Sequence, residues 1–455
     1  MAQGLKSIAI AVDALPYQNS IHTVCDYGGQ QIFGKCALPL YTYRNSQLVG
    51  LAAEHSEFSK DKKKLTVKLR TGLFWSDGSP VVADHYANSF KEIIRSPSNR
   101  FSNLLSDIAG YGEYANFQSD DIGIGVPEKL TIVLNLRNGN KWLPSMLSQL
   151  NFSPSCGNPE LSAGPYCIKH QSSAFVELLK NKWYLPHNPS TVERLTFINY
   201  EPYHDRSACI EDYFRGTIDI TCDTVMRLED YKKYSHLHEF HSNLTRLGVF
   251  LVPGTSFASL PSQLRQSLFH VFNRQEISDS LLGFAAPLTS YSGLYLDEVL
   301  RATKDLPPLS QRTITILYDE FYPNLTIAKI LQKQLKRLGI QAQLKPVGFG
   351  DWSAPSDLRL TICPPAIYGP LGFFKNDLFR GYLTSTQLAK AKILYSLYLS
   401  GLSPDVEAAA AAGMEEIISN EGLSIPLVTL PTAALVRKNI LPSSFYEVGT
   451  PVQML

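Results

Sequence analysis

Apolar and polar residues alternate along this chain with the periods of strands and helices. The first apolar run, Ser7 to Val12, is strand-like, and a helix ending near Leu38 follows an irregular loop. The alternation from Leu65 to Leu69 stops at a turn rich in small and polar residues, Ser76 to Pro80. From Ala83 to Ile94 the apolar residues recur with helical spacing. The chain therefore begins as a mixture of strands and helices.

The middle of the chain also shows alternating strand and helix patterns. The further predicted strands are Leu130 to Leu136, Val192 to Tyr200 and Thr217 to Thr221, and the further predicted helices are Asp205 to Phe214, Gln263 to Val271 and Arg274 to Leu282. Strands and helices that interleave in this way favour an α/β architecture.

A later segment predicts a complete βαβ crossover. Strand Thr313 to Tyr318 is followed by helix Leu325 to Leu338, and Gln341 to Pro346 reads as the second strand. Gly339 stands where a helix commonly ends with a glycine in a left-handed conformation. A helix between two strands predicts that the strands are parallel neighbours.

Length, composition and charge limit the classes of protein to which this chain can belong. A chain of 455 residues predicts two to four compact units, given domains of about 100 to 200 residues. Apolar residues make up 44% and charged residues 18%, which is typical of a globular protein. The formal net charge of +1 gives no electrostatic footprint for nucleic acid or an anionic membrane. Nucleic acid is therefore not an expected partner.

The start of the chain and its hydropathy bear on location. No window approaches the roughly 18 to 20 apolar residues that a membrane span needs. The apolar run at Ser7 to Val12 is too short for a secretory signal. Either the protein is cytosolic, or the numbering begins after a removed signal.

The seven cysteines contain no C-x-x-C pair, which argues against a structural zinc site. Two pairs are credible as disulfides, Cys156 with Cys167 and Cys209 with Cys222. The odd count leaves at least one free thiol. Cysteine usage therefore permits an oxidising compartment without requiring one.

The sequence lacks the common motifs for catalysis and metal binding. His236, His238 and His241 lack the H-E-x-x-H spacing, and in the strand expected there the first two would point away from the third. Phosphate-binding loops and G-x-S-x-G elbows do not occur, and no nucleophile is paired with a base. We therefore predict no metal, no cofactor and no enzymatic activity.

Several longer motifs, in the same order along nearly the whole chain, carry a resemblance to a known family. The first is similar to "LR.G..WSDG.P..A.D...SF" and comprises Leu69-Arg70, Gly72, Trp75-Ser76-Asp77-Gly78, Pro80, Ala83-Asp84 and Ser89-Phe90. The others are a "GTGPY"-like turn at Ser162 to Tyr166, "G.IDI" at Gly216 to Ile220, a "VRQAL" helix from Leu264 to Ile277, and the crossover from Ile327 to Leu344. The sequence thus resembles the large extracytoplasmic solute-binding proteins of ATP-driven importers, the peptide and nickel group known as family 5.

The resemblance assigns the WSDG segment to architecture. Asp77 and Gly78 would form a turn, Trp75 would pack beneath it, and Ala83 would begin the following helix. Turn aspartates and glycines are selected for backbone geometry, which agrees with a structural role.

The resemblance implies a periplasmic-binding-protein fold of type II with two mixed-sheet lobes joined by a hinge and an extra domain. Lobe I would comprise residues 1–43, 158–241 and 426–455, the extra domain residues 44–157, and lobe II residues 242–425. Such proteins close around a ligand held between the lobes. A monomer is expected.

The resemblance also implies a function. The protein would capture a peptide or peptide-like solute and deliver it to the membrane permease of an ABC importer. Its location would be periplasmic or otherwise extracytoplasmic, with the signal, and in some precursors a lipid anchor, outside the numbered chain. The alternatives are a ligand-sensing module of the same fold, or a binder of glutathione, a metal chelate or haem.

Twelve residues match positions that line the ligand site in the family. They are Thr23, Val24, Cys25, Asp26, Tyr27, Asp319, Glu320, Tyr322, Cys363, Ala366, Ile367 and Tyr368. Aromatic faces with hydroxyls, such as those of Tyr27 and Tyr368, suit a mostly apolar site with a few directional polar groups.

Two charged anchors for the ends of a peptide are missing from the expected positions. Ile367 stands where peptide binders of the family have an aspartate for the α-amine, and the stretch from Tyr318 to Tyr322 lacks the arginine that binds the carboxylate in dipeptide binders. Burying an unpaired charge costs several kcal/mol. An unmodified short peptide is therefore expected to bind weakly unless other side chains substitute, and Asp26 is a candidate amine acceptor.

Overall fold

The computed structural model describes residues 7–44, 47–96, 98–184, 192–200, 207–282, 284–290, 313–348, 351, 353–363, 382–442, 445, 448–449 and 452–453. The chain forms two compact units. The first comprises Met1–Thr224, Tyr234–Leu244 and Ala433–Leu455, and the second comprises Val225–Lys233 and Thr245–Thr432. The three-part domain layout expected from the resemblance stays a prediction.

The described elements alternate along the chain. The strands are β1 (Ser7–Val12), β2 (Tyr41–Arg44), β3 (Gln47–Gly50), β4 (Ala53–Phe58), β5 (Lys64–Leu69), β6 (Ile124–Glu128), β7 (Thr131–Asn135), β8 (Tyr166–Gln171), β9 (Phe175–Lys180), β10 (Arg194–Asn199), β11 (Phe240–Pro253), β12 (Ala286–Pro287), β13 (Thr313–Asp319), β14 (Gln341–Val347), β15 (Leu358–Cys363) and β16 (Ile425–Leu435). The α-helices are α1 (Tyr27–Gly34), α2 (Ala83–Arg95), α3 (Tyr111–Ala115), α4 (Leu143–Met146), α5 (Ser207–Arg215), α6 (Leu228–Tyr234), α7 (Ser262–Val271), α8 (Arg274–Ser280), α9 (Asn324–Arg337), α10 (Ser385–Ser400) and α11 (Pro404–Asn420). The predicted α/β class is confirmed.

The first unit contains a four-stranded sheet in the order β1-β10-β9-β8. Strand β1 runs parallel to β10, with Ser7 opposite Arg194 and Val12 opposite Asn199. The apolar side chains of this sheet, including Ile10 of β1 and Phe197 of β10, form a core that also contains Ile32 of α1. This packing fixes the end of β1 and helix α1 in one unit.

A second four-stranded sheet, β4-β5-β7-β6, belongs to the same unit, and α2 follows β5 after the WSDG turn. In that turn the Asp77 carboxylate accepts hydrogen bonds from the backbone N–H and the hydroxyl of Ser79. Trp75 is buried and donates from its indole N–H to His85 of α2. The structural role predicted for this segment matches its contacts.

The second unit is built on a six-stranded sheet in the order β12-β16-β11-β15-β13-β14. Strands β13 and β14 pair in parallel, joined by α9. Helix α9 turns Ile327, Leu331 and Leu335 inward, and Gly339 follows it with φ +77°. The predicted βαβ crossover is confirmed.

Two strand predictions are wrong. The segment from Thr217 to Thr221 forms only isolated bridges at Ile220, because the carboxylate of Asp219 accepts the N–H of Ala9 that a strand carbonyl would otherwise take. The strand expected at the three histidines is wrong only for His236 and His238, which lie in a turn with hydrogen bonds from Leu237 N–H to the Tyr234 carbonyl and from Phe240 N–H to the Leu237 carbonyl, whereas His241 lies in β11.

Neither proposed disulfide is formed. Cys156 and Cys167 are free thiols, and the Cys167 S–H points at the carbonyl of Leu179 across the sheet. Cys222 is also a free thiol and hydrogen-bonds to the hydroxyl of Thr224, so it is not bonded to Cys209. Cys156 lies in a loop outside the sheet that holds Cys167, with its sulfur 3.8 Å from the Asn158 carbonyl.

Candidate ligand-binding site

The loop between β1 and α1 carries four of the twelve residues expected at the ligand, and Tyr27, a fifth, begins α1. The amide of Asn151 donates to the carbonyls of Ile21 and Val24 over 2.8 and 2.9 Å. The amide of Asn99 donates to the carbonyl of His22 over 2.9 Å, and the His22 ring contacts the Asn151 carbonyl. The loop therefore has a fixed backbone within its unit.

The side chains of this loop differ in exposure. Val24 is fully buried and packs with Phe33, Ala37 and Leu150. Thr23, Cys25 and Tyr27 are partly exposed. The Cys25 thiol shares a hydrogen bond of 2.9 Å with the hydroxyl of Tyr17. The partly exposed side chains are the members of this loop that a solute can reach.

Asp26 caps helix α1. Its Oδ1 accepts the N–H of Gly29 over 2.7 Å, and its Oδ2 has no hydrogen-bond partner among the described residues. The residue is only 8% exposed. Two glycines allow this packing, since a Cβ at Gly28 would lie 2.4 Å from the Ala14 carbonyl oxygen and one at Gly29 would lie 2.8 Å from Asp26 Oδ2.

Two carboxylates that sequence reasoning missed lie beside this cap. The hydroxyl of Tyr27 donates to Asp223 Oδ2 over 2.6 Å, and the amide of Gln31 lies 3.4 Å from both oxygens of Asp223. Asp13, which directly follows β1, accepts a hydrogen bond from the hydroxyl of Thr224. The position of Asp13 at the carboxyl end of a buried strand was a usable signal, whereas nothing in the sequence around Asp223 marks it.

Burial raises the pKa of all three carboxyl groups. The pKa of Asp223 is raised to about 6 by burial, the Tyr27 hydroxyl lowers it, and the charge of Asp13 raises it further. The pKa of Asp26 is raised by burial, countered by the Gly29 N–H, and raised again by the charge of Asp13. The pKa of Asp13 is raised by burial against the hydrogen bond from Thr224. Asp13, Asp26 and Asp223 therefore form one electrostatic group, called the acidic cluster below.

The second unit holds three more of the expected residues, Asp319, Glu320 and Tyr322. Asp319 forms a buried salt bridge with Arg359 of β15, with 3.3 Å between Oδ1 and the guanidinium. Burial nevertheless raises the pKa of Asp319 to about 6, although Arg359 lowers it. Glu320 is exposed, and the ring of Tyr322 stacks on the guanidinium of Arg227 at 4.9 Å. The end of β13 has no basic residue of its own in the sequence. In the structure Arg359 of β15 lies beside it, and this arginine is already paired with Asp319.

The remaining expected residues extend from the end of β15. Cys363 is the last residue of that strand, where its backbone lies opposite Gly248 of β11. Ala366, Ile367 and Tyr368 lie outside the described residues. Their expected place at the ligand stays a prediction.

The described residues were also searched for metal sites and membrane spans. They contain no group of three or more histidine, cysteine, aspartate or glutamate side chains arranged to hold a metal ion. Among the described helices, none is both long and apolar enough to cross a membrane.

Comparison with known proteins identifies the class. The sequence model described as bacterial extracellular solute-binding proteins, family 5 middle, matches residues 47–298. The match covers more than half of the chain, so the chain belongs to this family, as its motifs predicted. A search of curated proteins gives no match.

Solved structures share the fold at low sequence identity. Haemophilus influenzae OppA in complex with the peptide RPPGFSPFR is 16% identical with a TM-score of 0.84, over 99% of each chain. The Escherichia coli murein tripeptide binding protein MppA is 15% identical with a TM-score of 0.82, over 99% of each chain. AgaA of A. tumefaciens R10 in complex with agropinic acid is 16% identical with a TM-score of 0.80, also over 99% of each chain. The fold is that of OppA-like periplasmic binding proteins.

Proposed function

We propose that this chain is the substrate-binding protein of an ATP-driven importer, which captures a peptide or peptide-like solute outside the cytoplasm and delivers it to a membrane permease. The observation that carries the proposal is membership of a family of extracellular solute-binding proteins. The fold, shared over 99% of the chain with an OppA solved with a peptide, supports a peptide-like ligand. The protein binds its solute and performs no chemistry on it.

The polar groups of the described units support a preference among ligand classes. The first unit presents Tyr27, Gln31 and the acidic cluster. In the second unit Arg359 is engaged by Asp319. These groups favour a solute with hydrogen-bond donors over one held by its carboxylate. The agropinic acid complex of AgaA is a precedent for a non-peptide solute on this fold.

The test identifies the solute directly. Protein isolated from its own cell extract would be examined by native mass spectrometry, and the released compound would be sequenced or identified by fragmentation. We expect a bound mass that is peptide or amino-acid derived, and isothermal titration calorimetry with the same compound should reproduce the binding.

The control is protein unfolded in guanidinium chloride, dialysed and refolded, which should lose the extra mass and regain it from the extract. A bound nucleotide, sugar or lipid would contradict the proposal. So would turnover of the bound compound into a product during incubation.

A further inference from the structure

The acidic cluster combines residues from three distant parts of the first unit. Asp13 follows β1, Asp26 caps α1, and Asp223 follows α5 by several residues. The Tyr27 hydroxyl and the Gln31 amide hold Asp223, and the Thr224 hydroxyl holds Asp13. Every one of these partners is a neutral donor. Three carboxylates are therefore brought together by the fold without a cationic partner among the described groups that act on them.

One oxygen of the cluster has no partner. Asp26 Oδ2 makes no hydrogen bond to any described residue, although Asp26 is more than nine-tenths buried. Gly29 leaves room for that oxygen, since a Cβ there would lie only 2.8 Å from it. A buried carboxylate oxygen without a donor is costly, because it has lost its water and gained nothing in return. Such an oxygen is available to a donor that the described residues do not supply.

The cluster extends to the surface of its unit. Asp13, Tyr27, Gln31 and Thr224 are partly exposed, while Asp26 and Asp223 are buried behind them. Binding of a group at the buried carboxylates would require it to pass these partly exposed residues.

We infer that Asp13, Asp26 and Asp223 form a binding site for a primary ammonium group of the ligand, with the unpartnered Oδ2 of Asp26 as one of its acceptors. The inference rests on the proposed function for the identity of the ligand as a peptide-like solute. An ammonium group carries three N–H donors and no acceptor, which suits a site whose open positions are carboxylate oxygens. Its positive charge offsets the mutual repulsion of the three carboxylates, and hydrogen bonds between ionised groups are stronger than neutral ones.

The structure supplies a competing explanation, in which the carboxyl groups share protons and only stabilise the unit. That explanation predicts that replacing one carboxylate with its neutral amide leaves ligand preference unchanged. The two explanations therefore differ in binding and not only in stability.

The experiment uses matched probes in isothermal titration calorimetry at pH 7.5. The first pair is Ala-Ala-Ala amide against its N-acetylated form, which tests the terminal amine. The second pair is N-acetyl-Ala-Lys-Ala amide against the same peptide with norleucine, which tests a side-chain amine. We expect one of the amines to bind about tenfold or more tighter than its neutral partner.

The variants are Asp13→Asn, Asp26→Asn and Asp223→Asn, which keep the shape of the side chain and remove its charge. Each should reduce the preference for the amine to less than about threefold while the neutral probe binds as before. Asp121→Asn, an exposed aspartate of the same unit, is the matched control and should keep the full preference. Circular dichroism of each variant verifies that it is folded.

Failure of the inference and failure of the proposed function give different results. Equal binding of amine and neutral probes by the unchanged protein would overturn the inference and leave peptide binding intact. A preference that survives in all three variants would overturn it as well.

If no peptide binds, the proposed peptide ligand falls, and 1,5-diaminopentane against 1,5-pentanediol decides the inference. A rise in melting temperature with the diamine alone, lost in Asp223→Asn, would support the ammonium site. The same response to both compounds, or to neither, would overturn it.

Discussion

The carboxyl group of Asp223 couples folding to pH. Its residue is buried, and its pKa is raised to about 6 from an ordinary value of 3.8, chiefly by burial. The folded protein therefore holds a proton on Asp223 between these two values where the unfolded chain does not. By linkage, the stability contributed by this group is complete below the unfolded pKa and is lost as pH rises through the folded pKa.

We expect the free energy of unfolding to fall by up to about 3 kcal/mol relative to Asp223→Asn as the pH rises from 4 to 7. The measurement is urea unfolding of both proteins across that range. The difference between them reports Asp223 together with its coupling to Asp13, because the charge of Asp13 raises the pKa of Asp223. A constant difference at all pH values would show that Asp223 is not protonated in the folded protein.

The glycine of the WSDG turn is required on two grounds. Gly78 has φ +91°, a conformation that residues with a side chain rarely adopt. A Cβ there would also lie 2.7 Å from the indole of Trp183. Both effects act on the folded state, so neither is relieved unless the turn or the indole moves.

We predict that Gly78→Ala lowers the free energy of unfolding by roughly 1 to 3 kcal/mol. Gly112→Ala is the control, because Gly112 lies in α3 and a Cβ there meets nothing within 4 Å. That change should be neutral or stabilising by up to about 1 kcal/mol. Chemical unfolding of both variants measures the effects, and equal stabilities would refute the argument about the turn.

Among the elements, those with a local sequence signal were predictable. The crossover from Thr313 to Pro346 is predicted by two apolar runs, a helix with periodic apolar residues and Gly339. All of these signals lie in one continuous segment of the sequence. The segment from Thr217 to Thr221 has the composition of a strand, yet the side chain of Asp219 takes the hydrogen bond of Ala9 that a strand backbone would make. That exchange depends on a residue more than 200 positions away, which a local pattern cannot show.

The residues of the candidate site also divide into those that a local sequence pattern marks and those that only the folded chain brings together. Asp26 and Tyr27 could be selected because they begin a helix at a position known from the family. Asp223 could not be selected from the sequence, because it lies 196 positions from Tyr27 and the two residues come into contact only in the folded protein. The salt bridge of Asp319 with Arg359 is a further case, because it joins two strands that pair only in the folded second unit.

At the scale of the whole molecule, a solute-binding protein should be stabilised by its solute. A ligand that binds only the folded state adds RT ln(1 + [L]/Kd), which is about 2.7 kcal/mol at a hundredfold excess over Kd. For units of the size found here, a stabilisation of 1 kcal/mol raises the melting temperature by about 2 to 4 °C. The bound solute should therefore be visible in a thermal unfolding scan.

We predict that protein purified without unfolding melts several degrees above the same protein after unfolding, dialysis and refolding. Heat-released extract of the first sample should restore the higher melting temperature to the second, and dialysed extract should not. The Asp121→Asn protein should behave like the unchanged chain, whereas Asp26→Asn should show a smaller shift, because the unpartnered oxygen that it neutralises is where the ligand's donor is proposed to bind. Identical melting temperatures before and after refolding, with no response to the extract, would mean that the chain carries no solute from its cell.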